Sequence, residues 1–109
     1  LITGTLNVAG AGSFLFTLNS DDGSMLYIDG NLVVNNGIGR GHAPFEVSGS
    51  ASLLAGVHPF RIEFFEDFGG PSGLDLYLPP EVTYIPEPMT LLLMGLGLMG
   101  VTVLRWRAQ

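Results

Sequence analysis

Between Met89 and Leu104 the chain runs for 16 residues without a charge, and Pro86-Glu87-Pro88 stands just ahead of that run. No other feature constrains the fold as much, because it divides the chain into two unlike parts. Residues 1–85 carry nine carboxylates against two arginines, Arg40 and Arg61, a net charge of −7. Residues 86–109 carry Glu87 against Arg105 and Arg107, a net of +1. A mean hydropathy of +0.42 with only 13% charged residues is therefore an average over a polar body and an apolar tail.

The body alternates apolar and polar residues, the pattern of half-buried strands. Gly4 to Val8, Phe14 to Asn19, Val57 to Phe65 and Leu74 to Leu78 all show it. Met25-Leu26-Tyr27-Ile28, Asp29-Gly30 and Leu32-Val33-Val34 read as a hairpin, since Asp-Gly supplies the positive φ angles of a tight primed turn. Phe45 to Val47 and Ala51 to Leu54 read as two further short strands, and the glycine-rich stretch Asn35 to Gly41 as an exposed loop. Seven or eight short strands with frequent turns and no helical period predict an all-β chain, an antiparallel β-sandwich over residues 1–80. Its expected core is Leu6, Val8, Phe14, Phe16, Leu26, Ile28, Val33, Val47, Leu53, Phe60, Ile62, Phe64, Leu74 and Leu76. Residues 81–88 read as a linker. The first strand starts at once at Leu1, so we expect the chain to begin inside a longer protein.

The run from Met89 predicts a transmembrane helix of about 24 Å at 1.5 Å per residue. Trp106 and the arginine stems must then reach the far interface of a hydrocarbon core about 30 Å thick. Pro88 suits a first helical turn, and Arg105 and Arg107 hold that end in the cytoplasm, which places the body outside. A buried core helix is the competing assignment at this length. It requires a polar face, and this run has only two threonines to offer.

Several function classes are excluded. No basic patch exists to neutralise phosphates, so the chain is no nucleic-acid binder. Without cysteine it has neither a disulfide framework nor a thiol nucleophile. His42 and His58 lack a second histidine at metal-ligand spacing and read as exposed or locally bonded side chains. Glu63, Glu66 and Asp67 gather carboxylates, but nothing else in the sequence builds a hydrolase cleft around them. The chain is read as no enzyme. Asp21 and Asp22 remain. Adjacent carboxylates repel unless a cation or hydrogen bonds compensate them, and Ca²⁺ takes six to eight oxygen ligands. Asp-Asp-Gly-Ser is equally a good turn, with Asp side chains accepting from backbone N–H groups. The residues alone leave both open.

Two resemblances sharpen these expectations. Pro86-Glu87-Pro88, the Leu/Gly/Met run and Arg105-Trp106-Arg107 at the C terminus resemble the PEP-CTERM sorting signal of Gram-negative bacteria. That resemblance implies an inner-membrane intermediate, recognition by an exosortase, removal of the helix, and delivery to the cell surface or the exopolysaccharide of a biofilm. Residues 89–109, helix and basic end, are then an address and not part of the mature fold. The strings Gly4-Thr5-Leu6, Phe16 to Ser24, Leu26-Tyr27-Ile28-Asp29-Gly30 and Ala55 to Phe64 resemble the PA-14 domain family, β-sandwiches found in adhesins, glycosidases and toxins. The family's first strands are expected upstream of Leu1. In its glycan-binding adhesins an Asp-Asp pair joined by a cis peptide holds Ca²⁺, and the ion binds sugar hydroxyls. The resemblance thus implies Asp21 and Asp22 as calcium and carbohydrate ligands. In those adhesins a loop late in the domain completes the site with an Asn side chain and a backbone carbonyl, whereas Glu66-Asp67-Phe68-Gly69-Gly70 at that place has no Asn. Glu66 or Asp67 takes that place here, and Phe68, like Tyr77, is a candidate for stacking on a sugar or for packing at the core edge. The expected function is an exported carbohydrate-binding module. A matrix or adhesion module without a glycan, and the accessory domain of a longer enzyme, are the alternatives.

Overall fold

The computed structural model describes residues 1–37, 45–65, 72–85 and 102–108. Its strands are β1 (Ile2–Val8), β2 (Gly12–Asp21), β3 (Ser24–Ile28), β4 (Asn31–Asn36), β5 (Phe45–Leu53), β6 (Gly56–Phe64), β7 (Ser72–Leu78), β8 (Val82–Ile85) and β9 (Thr102–Ala108). They form two sheets, ordered β4-β3-β6-β1-β8 and β5-β2-β7-β9, with antiparallel pairing throughout. The chain is an antiparallel β-sandwich.

The alternation read in the sequence sets which side of each strand faces inward. Phe14, Phe16 and Leu18 of β2 meet Leu6 and Val8 of β1, Leu26 and Ile28 of β3, Phe60 and Ile62 of β6, and Leu74, Leu76 and Leu78 of β7. Every residue of the expected core is buried or packed against it, with Val33, Val47 and Phe64 only partly covered. At β4 the fully buried residue is Val34, because the register with β3 slips between Leu26 and Tyr27, which puts Leu26 opposite Val34 and leaves Val33 as the extra residue. Asp29 (φ 54°) and Gly30 (φ 81°) close the β3–β4 hairpin as expected.

The structure departs from the sequence reading in four places. Asn35 and Asn36 belong to β4 and not to an exposed loop. Asn36 is 3% exposed, and its amide makes the hydrogen bonds that a lone buried Asn needs. Phe45 to Leu53 is one strand, since Ser48-Gly49-Ser50 stays in register with Leu15, Phe16 and Thr17 across the break that the small residues suggested. Residues 82–85, read as linker, form β8 along β1, with Val82 buried opposite Val8. Finally, residues 102–104, read as the end of the transmembrane helix, are strand. Thr102, Val103 and Leu104 pair with Leu78, Tyr77 and Leu76 on the open edge of β7. β-Branched residues fit that pleated edge, and pairing removes its unbonded amides and carbonyls. Residues 86–101 lie outside the described residues, and among those described no helix is long and apolar enough to cross a membrane.

Candidate functional site

Asp21 and Asp22, singled out from the sequence, stand at one end of the sandwich. The inward row of β2 runs Phe14, Phe16, Leu18 and then turns polar at Ser20, which is 2% exposed. Its hydroxyl lies 2.7 Å from that of Ser24. The Asn36 amide donates to the Phe45 carbonyl at 2.7 Å and the Leu18 carbonyl at 3.2 Å, and lies 3.4 Å from Ser20 Oγ. This buried polar cluster ties the end of β2 to β3, β4 and β5. Asp21 and Asp22 sit directly above it, where β2 gives way to β3, and the peptide bond between them is cis. Asp21 is half-buried and Asp22 buried.

The flanks of two other segments meet this turn. The Phe65 amide donates to the Gly23 carbonyl at 2.8 Å, and Gly73 pairs with Asp21. Residues 65 and 73, which bracket Glu66, Asp67 and Phe68 in the chain, thus both lie against Asp21-Asp22-Gly23. Gly37 is close enough that a Cβ on Gly23 would sit 3.1 Å from its Cα, and Phe45 pairs with Ser20. Residues 37 and 45 bracket the stretch containing Arg40 and His42. Glu66, Asp67, Phe68, Arg40 and His42 themselves lie outside the described residues, as do Pro86, Glu87 and Pro88.

The donors at this end are oxygens, the kind a hard cation takes. Among the described residues no three His, Asp or Glu side chains converge on one point. A hard cation needs six to eight oxygens, so the Asp21 and Asp22 carboxylates could hold one only as part of a larger donor set, and Glu66 and Asp67 belong to the segment whose flanks reach them. Glu63 stands apart: its Oε2 lies 3.2 Å from Arg61 Nε, though not at a hydrogen-bonding angle, and the Arg61 guanidinium covers the Tyr27 ring at 4.1 Å. This row is on the outer face of the five-stranded sheet. A shallow hollow of about 340 Å³ adjoins it, lined by Thr3, Gly4, Tyr27, Gly30, Pro59, Phe60 and Arg61. Tyr77 is half-buried on the outer face of the other sheet, between Thr17 and Val103.

At the opposite end His58 is locally bonded. Its Nδ1 lies 2.6 Å from Asp29 Oδ2 and its Nε2 2.8 Å from the Leu54 carbonyl. Those two acceptors raise its pKa above the usual histidine value, the Leu54 carbonyl most and the Asp29 carboxylate next. The sequence did not signal this contact, because Asp29 and His58 are 29 residues apart. Of the tail residues, Arg105 Nε lies 3.3 Å from Asp75 Oδ1, and Arg107 stands opposite Gly73 in β9.

Comparison with known proteins agrees with this architecture. The PA14 domain family matches residues 1–86, and the PEP-CTERM protein-sorting motif matches residues 85–108. Neither a curated protein nor a solved structure matches the chain. The sorting motif marks a membrane-anchored precursor that an exosortase directs to the cell surface. The chain belongs to the PA14 domain family and carries a C-terminal PEP-CTERM sorting motif.

Proposed function

We propose that the sandwich is a non-catalytic carbohydrate-binding module, displayed at the cell surface or in the exopolysaccharide, and that Ca²⁺ at Asp21 and Asp22 holds the sugar. The observation that carries this reading is the place of the aspartate pair. Two consecutive carboxylates stand on a buried, hydrogen-bonded polar cluster, and the flanks of an acidic segment meet the same turn. Ca²⁺, when bound, supplies the charge that lets two neighbouring carboxylates share one site and presents open coordination positions to vicinal sugar hydroxyls. The chain's own part is to fix the oxygens. Ser20, Ser24 and Asn36 lock the base of the turn, and Glu66 or Asp67 completes the donor set. Phe68 offers an apolar face for the sugar ring.

Calcium titration of the full chain followed by a glycan array with and without EDTA tests the reading. A calcium-dependent rise in melting temperature together with EDTA-sensitive glycan signals is the expected result. Calcium binding without any glycan signal favours a matrix module stabilised by the ion. Absence of both effects overturns the proposal and leaves display of the sandwich itself as the function.

A further inference from the structure

Residues 102–108 belong to two arrangements that exclude one another. As the end of the sorting motif, Thr102 to Leu104 complete the apolar run, and Arg105 to Arg107 form the basic end that stays at the cytoplasmic interface. In the structure the same residues are β9, in continuous register with β7 from Ser72↔Ala108 to Leu78↔Thr102. A β9 amide that bonds along β7 cannot at the same time bond within a helix.

The docked arrangement is specific. Strand periodicity sends Thr102, Leu104 and Trp106 inward: the first two are 5% and 7% exposed, and Trp106 packs against the core. Arg105 faces outward and meets Asp75, whose side chain is only 11% exposed. Among the described residues no other strand pairs with this edge of β7, which without β9 presents a row of backbone donors and acceptors beside Leu74, Leu76 and Leu78. An apolar residue at every second position, with a cation opposite Asp75, is the pattern this edge accepts.

We infer that the outer edge of β7 is a strand-binding site for the chain's own residues 102–108, so that sandwich and lipid bilayer compete for the end of the sorting signal. The strand site stands on the structure alone, and the membrane as competitor rests on the sorting reading. While the segment is docked, Trp106 and Arg105 are withheld from the interface at which a sorting enzyme meets them. Release to the bilayer opens the edge.

The chain has no cysteine, so engineered pairs report cleanly. Tyr77→Cys with Val103→Cys places thiols at directly opposed positions. Thr17→Cys with Val103→Cys is the control, two strands or about 10 Å apart and beyond disulfide reach. In the purified full chain in buffer, the first pair is expected to oxidise at least tenfold more than the second. Vesicles of phosphatidylcholine and phosphatidylglycerol are expected to cut that yield at least fivefold. Equal yields for the two pairs overturn the strand site. A yield unchanged on vesicles with which the protein sediments overturns the competition. Protein that does not sediment with vesicles overturns the competition together with the membrane reading of residues 89–104, and the cross-link still decides the strand site. Hydrogen exchange on the unsubstituted chain guards against misfolding of the variants: those amides of residues 72–78 that bond to β9 and not to β2 should exchange at least tenfold faster on vesicles than in buffer, and no change in them overturns the competition.

Discussion

His58 and Asp29 close the end of the sandwich opposite the aspartate pair, with Nδ1 2.6 Å from Oδ2 and the second ring nitrogen 2.8 Å from the Leu54 carbonyl. A neutral imidazole carries one N–H, so it can donate to only one of these two acceptors. The imidazolium satisfies both, which is why the pKa of His58 is raised. A group bound more tightly when protonated stabilises the fold fully below its unfolded pKa of about 6.5, and that stability is lost as pH rises through the higher folded value. The melting temperature is therefore expected to fall by a few degrees between about pH 6 and pH 9, since Asp29 is 39% exposed and such pairs contribute about 0.2–1 kcal/mol. His58→Gln and Asp29→Asn should each flatten that slope in a thermal melt series. Asn tolerates the positive φ at position 29, so the second variant leaves the turn intact. An unchanged slope in both variants contradicts this account.

β5 of one sheet passes close against β4 of the other at Gly49. A Cβ there would overlap the Val33 carbonyl oxygen and lie 3.0 Å from the Val33 carbonyl carbon. The obstacle is backbone, so no rotamer relieves it, and Gly49→Ala must pry the strands apart. A loss of about 3 kcal/mol is expected, at the upper end for overpacking. Gly10 has nothing within 4 Å of the same added atom, and Gly10→Ala should change stability by no more than about 0.5 kcal/mol. Chemical denaturation of the two variants side by side checks the contrast.

Asn36 is the pivot of the polar cluster under Asp21 and Asp22. Asn36→Ala leaves the Leu18 and Phe45 carbonyls short of a buried donor and is expected to cost about 2 kcal/mol. Asn36→Asp should cost more, because an ionised carboxylate only accepts and would face the same carbonyl oxygens. Urea melts at neutral pH rank the two. Equal loss would mean that the cluster is packed for shape and not for donors.

How much of this was legible in the sequence depends on whether an interaction has a period. The inward rows of β2, β6 and β7 were readable because alternation is local, and so was the Asp29-Gly30 turn, whose residue types are set by φ. Val34 was misjudged in favour of Val33, because a one-residue slip in register leaves no mark in composition. Asn36 looked like loop because Asn-Asn-Gly resembles a turn, and only the carbonyls brought from β2 and β5 make it a core residue. β8 and β9 went unread for a related reason. Four residues are too few to show alternation, and an apolar run of Thr, Val and Leu suits a helix or a strand until an open edge such as that of β7 decides. At the candidate site the residue types were legible, and the convergence of residues 23, 37, 65 and 73 on one turn was not.

Asp21 offers the sharpest test of whether the aspartate pair is a cation site or a turn. In EDTA two adjacent carboxylates repel, so Asp21→Asn should leave the melting temperature unchanged or raise it slightly. In saturating Ca²⁺ the wild-type chain gains RT ln(1 + [Ca²⁺]/Kd), about 2.7 kcal/mol at a hundredfold excess over Kd, and the variant loses most of that gain. The variant is therefore at least as stable as the wild type in EDTA and less stable than it in Ca²⁺. If Asp21 acts only through hydrogen bonds to the backbone of its turn, Asp21→Asn is destabilising by about the same amount in both, because the amide replaces one accepting oxygen with a donor. Parallel thermal melts of wild type and Asp21→Asn, with EDTA and with Ca²⁺, separate the two cases by the sign of a single difference.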